Sequence, residues 1–469
     1  MASTVYERRA SDPRLVDAAL ARTAPQVFWL EDVDRPSYPP LKAVLDADLT
    51  IVGGGYCGLW TAVLAKLRNP GLRVVVVESR QVGWAASGRN GGFCEASLTH
   101  GDENGRTRWP KDHAALEELG SANLVALQDD LATLSIDAQV ERTGTLAVAV
   151  EPHQVAWLKE PGPGEFLDAA AVRREIDSPI VLAGRWSREA SLLVHPARLA
   201  VGLARAAEDL GVVIFEGSHV VGLDVDRHGP VQVRTGHGAV RSAQVALATN
   251  VFPSLVRRSR RRTVPVYDYV LVTEPLTPAQ LSSVGWSNRQ GLTDLANQLH
   301  YSRLTADNRI LYGGYDAIYH PGRRIREQYE DRPESYRRLA SHFLTTFPQL
   351  EAVRFSHRWA GVIDTSTQFC AFHGLAKSGR IAYAAGFTGL GVAATRFAAE
   401  VMLDRLSGTD TPRTRPELVR CLPLPFPPEP LTSVGIAMTR WALDRADHHE
   451  GQRNLFLRGL DSVGLGFDS

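Results

Sequence analysis

Sulfur-containing residues are scarce in this sequence, and neither sign of charge predominates. The 469 residues include four cysteines and three methionines, and lysine plus arginine equals aspartate plus glutamate at 52 each. The cysteines form no C-x-x-C pair and no histidine spacing suits zinc, so neither a disulfide framework nor a metal site is expected. The balanced charge argues against nucleic acid or a membrane surface as a partner.

Long apolar runs are also missing. The N-terminal residues are charged and lack the apolar segment of a secretory signal, and no stretch of about 18 apolar residues is present that would cross a membrane. These absences predict a cytoplasmic protein with no membrane partner. The remaining composition, 44% hydrophobic and 22% charged residues, is that of an ordinary globular chain. Its length favours two or three domains.

The clearest local pattern is a strand, a glycine turn, a helix and a second strand near the N-terminus. Asp48 to Val52 is a short apolar strand followed by three glycines, and a helical run extends from Leu59 to Leu67. The segment from Leu72 to Val77 is β-branched and apolar, and it ends at Glu78. This order within about 30 residues predicts a βαβ unit.

The turn of this unit carries the spacing G-x-G-x-x-G at Gly53, Gly55 and Gly58, with Tyr56 and Cys57 inside it. The first glycine permits a tight turn, the second lets the backbone approach a pyrophosphate, and the third lets the helix pack closely on the strand. Free N–H groups at the start of the helix favour the phosphate charge. Because the motif lies between a strand and a helix, it predicts dinucleotide binding.

An acidic residue supports the same interpretation. Glu78 ends the second strand, about 20 residues after Gly58, where a carboxylate accepts hydrogen bonds from ribose hydroxyls. A carboxylate at this position also disfavours the 2′-phosphate of NADP.

Two further glycine-rich segments favour FAD over NAD. The segment from Gly83 to Gly92 is too polar for a strand, and its N–H groups and the Ser87 hydroxyl suit a second anion or flavin cradle. The segment from Gly386 to Gly391 opens a helix, whose N-terminus suits the negative charge of a reduced flavin. A flexible surface loop and a simple strand-to-helix turn are the alternative interpretations of these segments.

Taken together, these segments resemble the D-amino-acid oxidase superfamily of flavoproteins, in particular its glycine/sarcosine oxidase and gamma-glutamylputrescine oxidase branch. The matching pieces extend from residue 48 to about 405. In chain order they are IVGGGYCGLWTA, VVVVES, ASGRNGG, ALATN, RWAGVID and GFTGLGV.

The resemblance implies an α/β fold with two discontinuous domains. A Rossmann-like FAD-binding domain would comprise residues 1–100, 186–255 and 355–469. An α+β substrate-binding domain with an antiparallel sheet would comprise residues 101–185 and 256–354.

The resemblance also implies a set of residues that contact FAD. Those of the ADP half and its surroundings are Gly53, Gly55, Tyr56, Cys57, Gly58, Glu78, Ser79, Val220, Thr249 and Asn250. Those near the pyrophosphate or the flavin ring are Ser87, Arg89, Asn90, Gly91, Gly92, Trp359, Gly361, Gly386, Thr388, Gly389 and Leu390.

The implied chemistry is oxidation of a C–N bond in a small amine or amino acid. A hydride would pass to flavin N5, the resulting imine would hydrolyse to an aldehyde or keto acid, and O2 would be reduced to H2O2. A dehydrogenase with another electron acceptor and a non-catalytic flavin-binding protein are the alternatives. An aromatic hydroxylase is a weaker one, which would need NAD(P)H. The oligomeric state is not predicted.

Two departures from the family pattern qualify these expectations. Some relatives attach the flavin through a cysteine in the stretch Arg358 to Gly361 or a histidine near the flavin loop, and this sequence has neither, so non-covalent FAD is expected. Sarcosine oxidases use a lysine on a substrate-domain strand to activate oxygen. The corresponding strand, Arg309 to Tyr315, has none, which keeps the dehydrogenase open.

Candidate catalytic residues follow from what amine oxidation needs: a dry pocket and an anchor for the substrate. Arg303 lies on the hairpin where glycine-oxidase relatives bind a carboxylate, and its planar guanidinium suits that group. Tyr315 and His100 are the other two candidates, His100 as a base. Each of the three is also compatible with a purely structural role. Weaker candidates are Tyr267 and Tyr269 for the pocket wall, and Asp316 as a group that faces the amine.

Overall fold

The computed structural model describes residues 3–226 and 229–462, whose strands form two large sheets and one small one. In chain order the strands are β1 Val44–Val52, β2 Val74–Val77, β3 Phe93–Glu95, β4 Thr145–Ala149, β5 Glu165–Leu167, β6 Ala183–Ser187, β7 Ser191–Leu193, β8 Val213–Phe215, β9 Val220–Val225, β10 Val231–Thr235, β11 Ala239–Leu247, β12 Thr263–Thr273, β13 Gly291–Asp294, β14 His300–Leu304, β15 Ile310–Gly314, β16 Ile318–Tyr319, β17 Phe355–Ser366, β18 Phe372–Ala376 and β19 Ile381–Ala385.

The α-helices lie between and after these strands. They are α1 Val5–Arg8, α2 Pro13–Leu20, α3 Phe28–Glu31, α4 Tyr56–Arg68, α5 Ala86–Arg89, α6 Asp102–Arg108, α7 His113–Thr133, α8 Gln154–Lys159, α9 Ala169–Glu175, α10 Pro196–Asp209, α11 Pro278–Val284, α12 Pro333–Thr346, α13 Gly391–Ser407, α14 Glu417–Arg420, α15 Leu431–Asp447 and α16 Leu455–Ser462.

The first large sheet has a parallel core in the order β19-β11-β1-β2-β8. Its central residues are apolar and buried on both faces. Ile51 and Val76 pack against helices α4, α10 and α13 on one face. On the other face Val75 and Val77 pack with residues of β9 and β10. The predicted βαβ unit is β1, α4 and β2. Val52 pairs with Val77, so the glycine turn and Glu78 emerge side by side at the carboxyl edge of the sheet.

The second large sheet runs in the order β16-β12-β15-β14-β13-β4-β6-β5, with β17 also paired to β12. Its strand pairs are antiparallel except β13 with β4. Helix α12 packs on β12 and β15, burying Phe343 against the sheet. A parallel sheet with helices and a separate antiparallel sheet confirm the predicted fold class.

The predicted domain boundaries remain a prediction, and sheet membership suggests a change to them. Strand β17 was assigned to the FAD-binding part but pairs along its length with β12 of the second sheet. Strand β6 likewise belongs to the second sheet although the boundary at residue 186 divides it. We propose that residues 355–366 and all of β6 belong with the substrate-binding part.

Two negative findings hold for residues 3–226 and 229–462. None of their helices combines the length and apolarity needed to span a membrane. They also contain no group of three histidine, cysteine, aspartate or glutamate side chains arranged to hold a metal ion.

Candidate active site

A cavity of about 1000 Å³ is lined by residues of both large sheets. The first sheet contributes the glycine turn after β1, the end of β2, and the segment after β11. The second sheet contributes β12, β14 and β17, and helix α15 completes the wall. Ligand pockets reach this volume only at the upper end of their range, so the cavity has room for a dinucleotide together with a small substrate.

The glycine turn is packed so tightly that side chains are excluded from it. A Cβ atom at Gly58 would overlap the carbonyl oxygen of Gly53, and one at Gly53, where φ is +113°, would overlap the carbonyl oxygen of Ala248. A Cβ at Gly55 would lie 2.9 Å from Ser87 Oγ. The first turn of α4 is thereby held against the ends of β1 and β11, with its N-terminus at the cavity wall.

Glu78 is fixed in place beside this turn. Its Oε1 accepts hydrogen bonds from Ser79 Oγ, Arg80 N and Trp84 Nε1 at 2.9, 2.9 and 3.0 Å. Its Oε2 accepts one from Gly54 N at 2.7 Å. Because a carboxylate oxygen can accept two hydrogen bonds, Oε2 retains capacity for a ribose hydroxyl.

The segment from Gly83 to Gly92 forms a fixed part of the cavity wall. Asn90 Nδ2 donates to the Ala86 carbonyl at 3.0 Å, and Asn90 Oδ1 accepts from Gly92 N at 2.9 Å. Arg89 forms an ion pair with Glu330 at 2.6 Å, and Trp359 Nε1 donates to the Arg89 carbonyl at 2.8 Å. These hydrogen bonds and the ion pair favour the cradle over the flexible surface loop.

The turn before α13 is held by a buried carboxylate on β17. Asp364 accepts hydrogen bonds from the backbone N–H groups of Gly386 and Phe387. Burial raises the pKa of Asp364 to about 7, and hydrogen bonds from the turn oppose that increase. Backbone φ is positive from Gly386 to Gly389 except at Phe387. The first residues of α13, Gly391 and Val392, line the cavity, so the free N–H groups of this helix N-terminus lie at its wall.

Most residues predicted to bind FAD lie on the cavity wall. They are Gly53, Gly55, Tyr56, Cys57, Glu78, Ser79, Ser87, Arg89, Asn90, Gly91, Val220, Thr249, Asn250, Gly361, Thr388, Gly389 and Leu390.

Four other predicted residues lie behind the wall and support it. Gly58 packs α4 on β1, and Gly92 leaves room for the Val194 carbonyl and the Arg303 guanidinium. Trp359 holds Arg89, and Gly386 donates to Asp364. None of the four lines the cavity, and their predicted contact with the cofactor remains a prediction.

Two observations test whether these residues suit a dinucleotide. Asn250 lies on the wall with a buried Oδ1 that has no hydrogen-bond partner among the described residues, so a donor from a ligand would satisfy it. A Cβ at Gly361 would meet no atom within 4 Å, which leaves space for a ligand beside β17. Both observations fit a bound dinucleotide.

The structure does not bring Arg303 into the cavity. Its side chain is buried, Nη1 donates to the Val194 carbonyl at 2.6 Å, and its guanidinium lies 5.6 Å from the centre of the Trp29 ring. Burial lowers the pKa of Arg303 to about 10, with partial compensation from Glu141. The expected contact between Arg303 and a substrate carboxylate therefore has no support in the geometry.

The weaker candidates also lie elsewhere. Tyr267 and Tyr269 donate to the carbonyls of Arg326 and Tyr329 on the opposite face of β12, because side chains alternate along a strand. Asp316 is buried and accepts from Ser335 Oγ at 2.6 Å.

Tyr315 and His100, the other two catalytic candidates, line the cavity. The Tyr315 ring stacks on His300, with ring centres 5.2 Å apart, and meets His342 edge-on at 4.6 Å. Burial lowers the pKa of His100 to about 4, so its imidazole is neutral near pH 7. A neutral imidazole retains a nitrogen that can accept a proton.

Glu95, Asp268 and Arg440 are among the polar residues on the wall that the sequence does not predict. Glu95 lies on β3 and Asp268 on β12, and burial raises their pKa values to about 7 and about 6. Arg440 lies on α15. A signal for Glu95 was available, since Phe93 and Glu95 alternate with Cys94 directly after the flavin loop and therefore share one face of a strand.

Replacing Glu95 by glutamine is expected to alter how stability depends on pH. The raised pKa means that the folded state disfavours the ionised form, so the wild-type protein loses about 3 kcal/mol as pH rises from 4.5 to 7. Glutamine removes this loss. The Tm of Glu95→Gln minus that of the wild type should be more positive at pH 8 than at pH 5, with FAD saturating throughout. An exposed control, Glu117→Gln, should show no such change; an equal difference at both pH values for Glu95→Gln would contradict the assignment.

Comparisons with known proteins agree with this arrangement. The family model DAO, described as FAD dependent oxidoreductase, matches residues 48–405. The chain is 32% identical over 390 residues to gamma-glutamylputrescine oxidoreductase of Escherichia coli, covering 79% of this chain and 86% of that protein. It is 30% identical over 389 residues to "Probable oxidoreductase OrdL" of Haemophilus influenzae, covering 80% and 86%.

A solved structure shows the same fold. Glycine oxidase from Geobacillus kaustophilus matches with a TM-score of 0.63 at 18% identity, covering 78% of this chain and 96% of that one. The resemblance inferred from the sequence is confirmed, and the protein is an enzyme that acts on C–N bonds of amines or amino acids. The chain belongs to the DAO family of FAD-dependent oxidoreductases, and FAD is its cofactor.

Proposed function

We propose that this enzyme removes a hydride from the carbon beside a substrate nitrogen, giving an imine that water hydrolyses to an aldehyde or keto acid. The observation that carries this proposal is that one cavity is lined both by the glycine turn and by Tyr315, His100 and Glu95. FAD, when bound, would supply the hydride acceptor at N5, and O2 would be the final electron acceptor, giving H2O2.

The chain's own groups would hold the two ends of the cofactor. The first turn of α4 presents N–H groups to the pyrophosphate, and Glu78 Oε2 accepts a ribose hydroxyl. At the other end, the first turn of α13 stabilises negative charge on the ring system. The bonding is non-covalent in this proposal, because Cys57, the cysteine on the wall, lies in the phosphate-binding turn, where burial raises its pKa and keeps it a thiol.

The substrate nitrogen must be neutral before a hydride can leave the adjacent carbon. Apolar side chains of Leu299, Ile363 and Leu390 line the cavity. They exclude water and so disfavour the charged ammonium form of the substrate nitrogen. The proton released from the nitrogen is taken up by the Glu95 carboxylate, whose pKa of about 7 suits reversible protonation near neutral pH.

The electron acceptor has a second candidate, supported by a specific observation. Among the described residues that line the cavity none is lysine, and a lysine is the group that the resemblance associates with oxygen activation. An amine or amino-acid dehydrogenase that passes electrons to another carrier is therefore the alternative to the oxidase.

Anaerobic reduction of the flavin tests the proposal. The FAD-loaded enzyme is mixed with gamma-glutamyl amines, N-substituted glycines and amino acids, chosen because relatives carry names that include such compounds. Loss of the yellow absorbance with at least one of these compounds is expected. If none bleaches the flavin but NADPH does, the function is instead that of a hydroxylase. Formation of H2O2 on admission of air separates the oxidase from the dehydrogenase.

A further inference from the structure

Helix α15 forms the part of the cavity wall that lies outside the family match, which ends at residue 405. Ile436, Thr439, Arg440 and Leu443 line the cavity. Their spacing places them on one face of the helix. Asn297 fastens the helix to the second sheet, since its backbone N and Nδ2 both donate to Asp447 Oδ1, at 3.0 and 2.7 Å.

Arg440 is a cation of this wall that forms no ion pair with the residues that the structure describes. Its Nε is buried without a hydrogen-bond partner in residues 3–226 and 229–462. The buried carboxylate nearby, Asp316, is already bound by Arg338 at 2.7 Å and Arg332 at 3.2 Å. Asp444, one turn further along α15, is approached by Gln298 Nε2 at 3.5 Å. Asp316 is therefore engaged with other groups, and among the described residues neither carboxylate forms an ion pair with Arg440.

The charges facing Arg440 leave an excess of positive charge. Burial lowers its pKa; Asp316 and Asp444 oppose this change, and Arg332 and Arg338 add to it. Arginine nevertheless stays protonated in proteins. An unpaired, partly desolvated cation is costly, and an anion bound in the cavity would offset that cost.

Tyr315 lies in the same corner of the cavity. The charges of Asp316, Arg338 and Asp444 influence the pKa of the Tyr315 hydroxyl as well as that of Arg440. Its ring is fixed by His300 and His342. Because a phenol stays protonated at neutral pH, the Tyr315 hydroxyl does not form an ion pair with Arg440 and can donate a hydrogen bond to an anion. One guanidinium and one hydroxyl donor suit a carboxylate, which is planar and carries a single charge.

We propose that Arg440 is the substrate-anchoring residue, and that the substrate carries a carboxylate, in addition to its amine, bound by Arg440 and Tyr315. The inference rests on the proposed function, which it extends by naming the substrate class. It assigns to α15, outside the family match, the anchoring role that the sequence had suggested for Arg303.

Equilibrium binding of compounds that cannot be oxidised tests this proposal separately from turnover. Acetate, butanoate and glutarate are titrated into the FAD-loaded protein, with acetamide and butanamide as uncharged counterparts, and Kd is measured by calorimetry and by changes in the flavin spectrum. The wild type should bind at least one carboxylate more tightly than the amides. Arg440→Gln should weaken that binding by about 10- to 100-fold, the usual cost of losing a charged hydrogen bond, and leave amide binding unchanged. Arg440→Lys should lie between, since lysine keeps the charge but lacks the planar fork.

Arg445→Gln is the matched control. Arg445 is on the same helix, off the cavity wall, and its guanidinium lies 5.5 Å from the centre of the exposed Trp441 ring. Carboxylate binding and Tm should be unchanged in this variant, and FAD content should match the wild type in all three variants. The Tm of Arg440→Gln should be no lower than that of the wild type, because this variant lacks the unpaired cation.

Two results would overturn the anchoring role: a wild type with no preference for carboxylates over amides, and an Arg440→Gln variant that retains that preference. Failure of every amine to reduce the flavin, with carboxylate binding intact and dependent on Arg440, would instead reject the proposed oxidation and leave the anion site standing.

Discussion

Replacing Gly58 by alanine is expected to yield a protein that is purified without its yellow colour. The added Cβ overlaps the carbonyl oxygen of Gly53, which is backbone and cannot rotate away. Gly53 itself is in close contact with Ala248 at the end of β11. The helix must therefore move from the strand, and with it the N–H groups that we propose bind the pyrophosphate. Overpacking of this kind costs about 1–3 kcal/mol or more, so FAD affinity should fall by roughly 100-fold.

The measurements are the FAD content of the purified protein and the Kd for added FAD. Gly435→Ala is the matched control, because Gly435 is also a helical glycine and a Cβ there meets no atom within 4 Å. This control should keep full FAD content and gain up to about 1 kcal/mol in stability. Normal FAD affinity in Gly58→Ala would show that the turn does not set the position of the phosphates.

Replacing Asp364 by alanine is expected to abolish most FAD binding and to lower Tm. The carboxylate accepts the N–H groups of Gly386 and Phe387, and its loss leaves both donors buried without a partner. Each such group costs about 1–3 kcal/mol. The turn before α13 would then be free to leave the conformation with positive φ at Gly386, Thr388 and Gly389. Asp364→Asn keeps one acceptor oxygen and should show a milder loss.

A buried aspartate far from the cavity separates loss of stability from loss of the cofactor. Asp404 is also buried and is bound by Arg68 and Arg413. Asp404→Ala should lower Tm by a comparable amount while FAD affinity stays within about threefold. If Asp364→Ala and Asp404→Ala reduce FAD affinity equally, the effect of Asp364 is on general stability and not on the flavin end of the cavity.

The dinucleotide end of the cavity was predictable because its parts are contiguous in the chain. Strand β1, helix α4 and strand β2 follow one another directly, so the spacing of Gly53, Gly58 and Glu78 already fixes their relative positions. The turn at Gly386 was recognisable for the same reason, since glycines and a helix start are local signals. The binding roles of these residues remain predictions.

The substrate end was not predictable from local pattern. Tyr301 and Arg303 share a face of β14, yet the two residues lie about 7 Å apart along the strand. Arg303 therefore lies beyond the cavity, with its guanidinium next to Gly92 and near the Trp29 ring. A strand's own sequence does not reveal where along it a cavity ends.

Arg440 illustrates the opposite case, in which a signal existed but its meaning depended on tertiary structure. Ile436, Arg440 and Leu443 lie on one helical face, so an arginine interrupts an apolar stripe. Only the docking of α15 through Asn297 shows that this face borders the cavity.

The cavity also constrains when the cofactor joins the chain during synthesis. Its wall begins at Val52 and is completed by Leu443. A ribosome adds about 5–20 residues per second, so roughly 20 to 80 seconds pass between the appearance of the first wall residue and the last. The glycine turn is synthesised before β11 and β19, so it lacks these neighbouring strands during that time. The complete cavity is therefore available to FAD only after α15 has been synthesised.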